Sequence, residues 1–186
     1  MPELLTARLR LRPWRDDDLD LLAEMHADPE VMRYIGDGSV RTRDETAAWL
    51  TRIRADGEEQ GHGLFAVELC ETGELTGWTG TAVPNFLPEV LPAVEIGWRL
   101  ARRFWGHGIA TEAARAVLEH AFDGVGLDRI LSVCNIDNTA SESVMRKLGM
   151  HLDRETTVPA HGRRVHVYAI TREEHTRGCP ALHPLP

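Results

Sequence analysis

Cysteine, basic charge and long apolar runs are scarce in this chain, and each scarcity excludes a class of protein. The 186 residues include three cysteines, Cys70, Cys134 and Cys179, with no Cys-x-x-Cys pair, so neither a disulfide framework nor a zinc site is indicated. Acidic side chains outnumber basic ones by 29 to 21, and the net charge of −8 argues against sequence-independent nucleic-acid binding. No apolar run approaches the roughly 18 residues of a membrane span. The nine histidines show no H-x-x-x-H spacing, so no metal is expected.

Length and composition predict a single domain. The 186 residues with 42 % hydrophobic content supply a sizeable core over residues 1–176, followed by a disordered tail over 177–186. The chain opens without a basic segment before an apolar one, so we expect no secretory signal and a cytoplasmic location. The acidic balance favours a cationic partner, such as an amine or a basic peptide, although solubility alone also accounts for it.

Hydrophobic periodicity predicts strands that alternate with helices. Strands are expected over 8–12, 64–71, 74–82, 93–100, 129–134, 152–158 and 163–171. Helices are expected from 16, from 29 and from a capping box at 42–45, and over 109–125 and 138–148, with loops over 56–63 and 84–92. The strand 93–100, the helix 109–125 and the strand 129–134 form a βαβ unit, which makes the two strands parallel. The order predicts an α/β fold with a mixed sheet.

Two glycines, Gly106 and Gly108, lie between that strand and the helix 109–125. Glycines at the start of a helix leave backbone N–H groups uncovered, and the helix end adds partial positive charge, so this loop suits a phosphate or pyrophosphate. A dinucleotide fingerprint requires Gly or Ala where Thr111 stands, and the Gly-Lys-Ser/Thr of a P-loop is absent. A helix-entry turn without a ligand is the structural alternative.

The segment Arg103-x-x-Gly106-x-Gly108 resembles the coenzyme-A signature of the GNAT N-acetyltransferases. Further segments are similar to the RimJ/RimL-like branch of that family: 6–12, Glu95-Ile96-Gly97-Trp98, 105–113, Asn138-x-x-Ser141 and 147–150. The resemblance spans residues 6 to about 172. It implies a single-domain GNAT-like α/β fold with a mostly antiparallel sheet around a central parallel βαβ pair, and acetyl-CoA as cosubstrate. The implied acceptor is a small-molecule amine or a protein N-terminus, and homodimers are common in the family.

The resemblance also implies which residues hold the coenzyme. In the family the backbone amides of the glycine-containing loop hold the pyrophosphate, and here these amides belong to residues 104–110. The coenzyme-binding residues implied are Trp98, Leu100, Arg103, Phe104, Trp105, Gly106, His107, Gly108, Ile109, Ala110, Thr111, Asn138, Ser141 and Lys147. Each also has a structural interpretation, since Trp98 suits core packing and Asn138 suits a helix cap.

Glu95 and Ser141 are the candidate catalytic residues. Family members often place a strand carboxylate near the acceptor, and apolar neighbours would raise the pKa of Glu95, which suits a base. The oxyanion donor is expected at the backbone N–H of Gly97 or Trp98, and a glycine inside a strand indicates a bulge or a close backbone approach. Many members use a Tyr as general acid where this chain has Met145, so Ser141 or water is left to protonate the thiolate.

Two other functions stay open at this point. The chain is compatible with transfer of another acyl group, such as succinyl from succinyl-CoA, and with a non-catalytic coenzyme-A sensor. The acceptor pocket is expected from the helices within 16–55 and the loop 84–92. Four aromatic residues there are core or pocket lining, with core preferred for each: Trp14, Tyr34, Trp49 and Phe86. Cys134 is interpreted as a buried structural thiol.

Overall fold

The computed structural model describes residues 1–178 of the chain. Its strands are β1 Leu4–Leu5, β2 Leu9–Arg12, β3 Leu64–Leu69, β4 Leu75–Ala82, β5 Glu95–Leu100, β6 Arg129–Asn135, β7 His151–Thr157 and β8 Arg164–Thr171. Its helices are α1 Leu19–Ala27, α2 Pro29–Met32, α3 Arg43–Gln60, α4 Ile109–Glu119, α5 Thr139–Lys147 and α6 Arg172–Gly178. None of the helices in residues 1–178 is long and apolar enough to cross a membrane.

Within residues 1–178, eight strands form one sheet in the order β1-β2-β3-β4-β5-β6-β8-β7. Every neighbouring pair is antiparallel except β5 and β6, which are parallel. Helix α4 and a π-helical turn, His120–Val125, connect those two strands. The predicted α/β architecture is therefore confirmed, including its central parallel pair.

The two faces of β5 are covered by different helices. Arg99 lies opposite Trp78 in the register of β4 and β5, and the alternation of a strand puts Arg99 on the same face as Glu95. On this face Arg99 contacts Met32 of α2, and the Trp78 ring packs against Trp49 of α3. We call it the α3 face, and we call the opposite side, where α4 packs, the α4 face.

The loop over 84–92 covers the α3 face beside β6. Leu87 of this loop is fully buried against Leu131 of β6 and against Val167 and Ala169 of β8. Since Leu131 is paired with Glu95, the loop lies directly beside the first residue of β5. The loop therefore borders Glu95 on the α3 face.

Some predicted boundaries are wrong, and the errors concentrate where tertiary packing overrides local propensity. The predicted loop 56–63 is mostly helix, because α3 continues to Gln60 and ends at Gly61 with a φ of 73°. Gly57, which disfavours a helix, packs closely against Met1 and Gly63. The two-residue β1 and helix α6 were not predicted. Helix α6 includes Arg177 and Gly178, which the sequence assigned to a disordered tail, and the rest of that tail lies outside the described residues.

Candidate active site

Strands β5 and β6 pair at a single register position and part beyond it. That position joins Glu95 to Leu131, whose N–H donates to the Val94 carbonyl at 2.9 Å. One residue further along β6, the Ser132 hydroxyl donates to the Ile96 carbonyl, also at 2.9 Å. No later pair joins the two strands within residues 1–178, so a gap opens in the middle of the sheet from residue 97 onward.

The backbone N–H of Trp98 is turned toward this gap. The Ile96 carbonyl faces β6, whereas the Gly97 carbonyl accepts a hydrogen bond from the Thr79 hydroxyl of β4 at 3.0 Å. Along a strand, the backbone N–H and carbonyl groups of successive residues point alternately to the two neighbouring strands. The Trp98 N–H therefore points toward β6, as the Ile96 carbonyl does, and not toward β4. The bulge considered at Gly97 is wrong, because β4 and β5 keep a continuous register there, and the Trp78 ring packs at 3.6 Å from where a Cβ would lie.

Glu95 begins β5 at the closed end of the gap. Its side chain is half-buried, and no residue in the described part of the chain forms a hydrogen bond or ion pair with its carboxylate. Burial raises the pKa of Glu95 to about 8, because an ion loses water that no protein donor replaces. A carboxylate with this pKa is suited to accept a proton near neutral pH.

The glycine loop has the backbone conformation that a phosphate seat requires. Gly106 and Gly108 have φ values of 80° and 78°, a left-handed conformation that costs other residues about 1–2 kcal/mol. The backbone N–H groups of 106–111 donate to no acceptor within residues 1–178, and the first helical bond runs from the Glu112 N–H to the Gly108 carbonyl. Six uncovered N–H groups therefore lie at the positive end of α4.

The side chains of this loop divide between the core and the surface. Phe104 and Ile109 are buried, and the exposed Trp105 donates from Nε1 to the Leu100 carbonyl at 2.8 Å. Arg103, which the sequence placed beside the phosphates, forms an ion pair with Glu74 at 3.0 Å. The remaining predicted residues range from buried Leu100, through half-buried Trp98, Ala110 and Thr111, to exposed His107.

Arg8, the residue before β2, contacts the glycine loop. The sequence predicted no role for it. Its Nε donates to the Glu112 carboxylate at 2.7 Å, and its Nη1 donates to the His107 carbonyl at 3.1 Å. Thr6 also donates to Glu112, at 2.6 Å. Burial raises the pKa of Glu112, but these hydrogen bonds outweigh it and hold the pKa below its ordinary value. No local spacing could have indicated this contact, since it joins residues about a hundred positions apart.

Helix α5 brings the second group of predicted residues to the α4 face. Asn138 caps the helix as predicted, and its Oδ1 accepts from the Ser141 N–H at 3.1 Å. Ser141 is half-buried, and its hydroxyl has no partner within residues 1–178. Met145, at the place of the usual Tyr, is fully buried in the core. Lys147 is exposed at the end of the helix.

The four aromatic residues on the acceptor side are not all core. Trp14 is buried and packs edge-on against Trp49, with ring centroids 6.3 Å apart. Trp49 and Tyr34 are half-buried, and Phe86 is exposed, so the core interpretation of Phe86 is wrong. Cys134 is buried, as predicted, and burial raises the pKa of its thiol to about 12, which leaves it unreactive.

Comparisons with known proteins agree with this geometry. A family model described as an acetyltransferase (GNAT) domain matches residues 8–151. Among curated relatives, the FsC-acetyl coenzyme A-N(2)-transacetylase of Aspergillus fumigatus is 33 % identical over an alignment 189 residues long, gaps included, that covers 95 % of this chain and 79 % of that protein.

Solved structures repeat the same fold. An acetyltransferase of the GNAT family from Bacillus anthracis superposes with a TM-score of 0.78 at 26 % identity, covering 92 % of this chain and 99 % of that one. RimJ of Mycobacterium smegmatis, solved in complex with CoA-disulfide, superposes with a TM-score of 0.73 at 26 % identity, covering 89 % and 83 % of the two chains.

Proposed function

This chain belongs to the GNAT acetyltransferase family, an acyl-CoA-dependent class of enzymes, and we propose that it transfers acetyl from acetyl-CoA directly to a primary amine in a ternary complex. The observation that carries the proposal is the placement of Glu95. A carboxylate of raised pKa, without a protein partner, lies where β5 and β6 part. The uncovered amides of the glycine loop lie at the other end of the same strand.

The α4 face fits the coenzyme. The uncovered N–H groups of residues 106–111 suit the pyrophosphate, and neither Gly106 nor Gly108 has a side chain that would displace it. Trp98 and Leu100 line the course of the pantetheine along β5, and Asn138, Ser141 and Lys147 border it from α5. Arg8 contributes by holding the loop carbonyl of His107 in place.

Each chemical step has a residue suited to it. Acetyl-CoA supplies a thioester, and Glu95 takes a proton from the acceptor ammonium, directly or through water, which leaves a neutral amine to form the C–N bond. The Trp98 N–H stabilises the negative charge that develops on the thioester oxygen. As the C–S bond breaks, the nitrogen loses its second proton, and Ser141 or water relays that proton to the sulfur. The net reaction releases an amide, free thiol and the proton held by Glu95.

The acceptor proposed is a small-molecule amine or a protein N-terminus, and it approaches from the α3 face. The loop 84–92 and the half-buried Tyr34 and Trp49 border that approach. A homodimer of this chain is part of the same proposal, and the mass of the active species in solution tests it.

The test is a thiol-release assay with acetyl-CoA and a panel of amines, peptides and aminoglycosides. We expect turnover on at least one acceptor class, with the acetylated product detected by mass spectrometry. Calorimetry with coenzyme A and acetyl-CoA accompanies it. Binding without turnover on any acceptor would indicate a sensor, and no binding of any acyl-CoA would end the proposal.

A further inference from the structure

A buried arginine without an acidic partner lies on the α3 face. Arg99 is 9 % exposed, and its recorded contacts are a hydrogen bond from Nη1 to the Met32 sulfur at 3.5 Å and the Trp78 ring at 5.1 Å. Its Nε has no partner within the described residues. A buried charge normally has a counterion, because desolvating an isolated ion is costly.

The chain's other deeply buried arginine shows the usual arrangement. Arg12, 3 % exposed, binds both carboxylate oxygens of Asp18 at 2.7 Å and contacts Glu68 at 2.9 Å. The two arginines are similarly buried, so burial alone does not explain why Arg99 has no carboxylate. Within residues 1–178, the fold therefore supplies a counterion to Arg12 and none to Arg99.

Arg99 does not stand alone. The Arg41 backbone N–H donates to the His26 carbonyl at 2.9 Å, which puts a second cation in the same region. Burial and then the charge of Arg41 lower the pKa of Arg99 to about 9. Arg41 is half-buried, and burial and Arg52 lower its pKa despite the attraction of Glu45 and Asp37. For Arg41 these two carboxylates do not offset burial and Arg52, and Arg99 has no carboxylate partner within residues 1–178.

Neighbouring groups extend the set of unsatisfied atoms. Within residues 1–178, the Trp78 Nε1 is buried without a partner, as is His26 Nε2. Thr46 donates its hydroxyl proton to the Thr42 carbonyl, so it accepts from His26 Nδ1. Burial, Arg99 and Arg41 lower the pKa of His26 to about 3, so the ring is neutral near pH 7. The positive charge of this region is therefore that of its arginines.

We propose that Arg99, supported by Arg41, binds a compact anion, a carboxylate in the first instance, carried by the acceptor amine. The proposal rests on the proposed acetyl transfer and names its substrate class. Glu95 and Arg99 share one face of β5, four residues apart, or about 13 Å between Cα atoms. An extended tripeptide spans roughly 10 Å from its amine to its carboxylate, which suits this separation.

The experiment compares each acid with its own amide. Triglycine, longer peptides and ω-amino acids are assayed beside their primary amides at saturating acetyl-CoA. We expect the acid to be preferred by roughly 10- to 100-fold in kcat/KM, mostly through KM, because the amide loses a charge-assisted hydrogen bond. Arg99→Met should bring the ratio of kcat/KM for acid and amide to about one.

Two further variants keep the result interpretable. Arg41→Gln changes a half-buried loop residue and should also lower the ratio of kcat/KM for the acid to that for the amide. This variant replaces Arg99→Met in the test if Arg99→Met does not fold. Arg54→Met is the control, since Arg54 lies on α3 in an ion pair with Asp16 at 2.7 Å and should leave the ratio unchanged. Equal use of acid and amide by the unmodified protein would overturn the proposal while acetyl transfer itself stands.

The remaining outcomes separate this proposal from the proposed function. If no acceptor is turned over, calorimetry measures the Kd of the protein for the N-acetylated acid and for the N-acetylated amide. Tighter binding of the acid that is lost in Arg99→Met supports the anion site. Equal Kd values for the two compounds overturn it. A preference for succinyl-CoA over acetyl-CoA with a neutral amine, lost in Arg99→Met, would assign the carboxylate to the acyl group and overturn the acceptor assignment.

Discussion

The candidate site on the α4 face of β5 consists of backbone groups, whereas the candidate site on the α3 face consists of side chains. On the α4 face, the candidate coenzyme seat consists of backbone N–H groups from six consecutive residues, 106–111, with left-handed glycines shaping the turn. On the α3 face, the candidate acceptor site consists of side chains that come from distant parts of the chain, Arg41, Trp78, Glu95 and Arg99 among them. A seat of backbone groups depends on conformation, whereas a site of side chains depends on how elements pack. The coenzyme site should be sensitive to a Cβ added at its glycines and less sensitive to changes of other side chains. The acceptor site should be sensitive to changes of its side chains.

The largest expected effect is on the α3 face, at Glu95. Glu95→Gln removes the proton acceptor and should lower kcat by about 100-fold or more. Because the pKa of Glu95 is about 8, the rate of the unmodified enzyme should rise with pH through that value, and the variant should lose this dependence. The measurement is kcat and kcat/KM across pH 6 to 10, and an unchanged profile would contradict the base assignment.

The thermal stability of Glu95→Gln, measured at different pH values, tests the raised pKa independently of activity. The folded-state pKa of Glu95, about 8, lies above the ordinary 4.5, so the folded state binds a proton that the unfolded state releases. Stability that depends on this proton is complete below pH 4.5 and is lost as the pH rises toward 8. Glu95→Gln should therefore be more stable than the unmodified protein at pH 9, by a few degrees in Tm, and about equal to it at pH 4.5.

The next effect concerns the α4 face and compares the glycine that precedes α4 in the loop with the glycine that ends the π-helical turn after it. Gly106→Ala and Gly126→Ala each place a Cβ at a positive φ, 80° and 89°, where no heavy atom lies within 4 Å. Both should cost about 1–2 kcal/mol of stability. Gly106→Ala alone should raise the Kd for coenzyme A, by roughly 10- to 100-fold, because charge-assisted hydrogen bonds are lost. Equal coenzyme affinity in the two variants, measured by calorimetry, would mean that the loop does not hold the phosphates.

A smaller effect is expected where a side chain supports the backbone seat. Arg8→Met removes the contacts to His107 and Glu112 and should raise the KM for acetyl-CoA by about 3- to 10-fold, with kcat unchanged. Arg129→Met, at an exposed ion pair with Asp153, is the matched control and should change neither constant. A fall in kcat alone would assign Arg8 a role in the chemical step.

The smallest effect is expected at Ser141. Ser141→Ala removes a hydroxyl but keeps the N–H that Asn138 caps, so the helix stays intact. We expect kcat to fall only about threefold, since water substitutes as proton donor. Ser143→Ala, an exposed position on the same helix, is the control. A loss of 100-fold at Ser141 would make it the main acid, and no loss would assign the proton to water.

Prediction from sequence succeeded where information was local. The glycine loop, the Asn138 cap and the βαβ unit are contiguous patterns, and the structure reproduces each as an element. The predicted loop at Gly57 is wrong, because the residue lies in α3 and packs against Met1 and Gly63. The predicted burial of Phe86 is wrong, because its exposure depends on how the loop 84–92 is anchored at Leu87. The catalytic and binding roles themselves stay predictions.

By itself the sequence determined the family, the order of the main strands and helices, and the conformation of the glycine loop, because those depend on backbone conformation over short spans. Tertiary structure decided that Arg8 supports the glycine loop, that the Trp98 N–H faces the gap, and that Arg99 is buried without a carboxylate. Each of these depends on the pairing or packing of distant segments, which sequence spacing does not encode. The proposed acceptor site therefore forms only once the sheet and its helices have packed together.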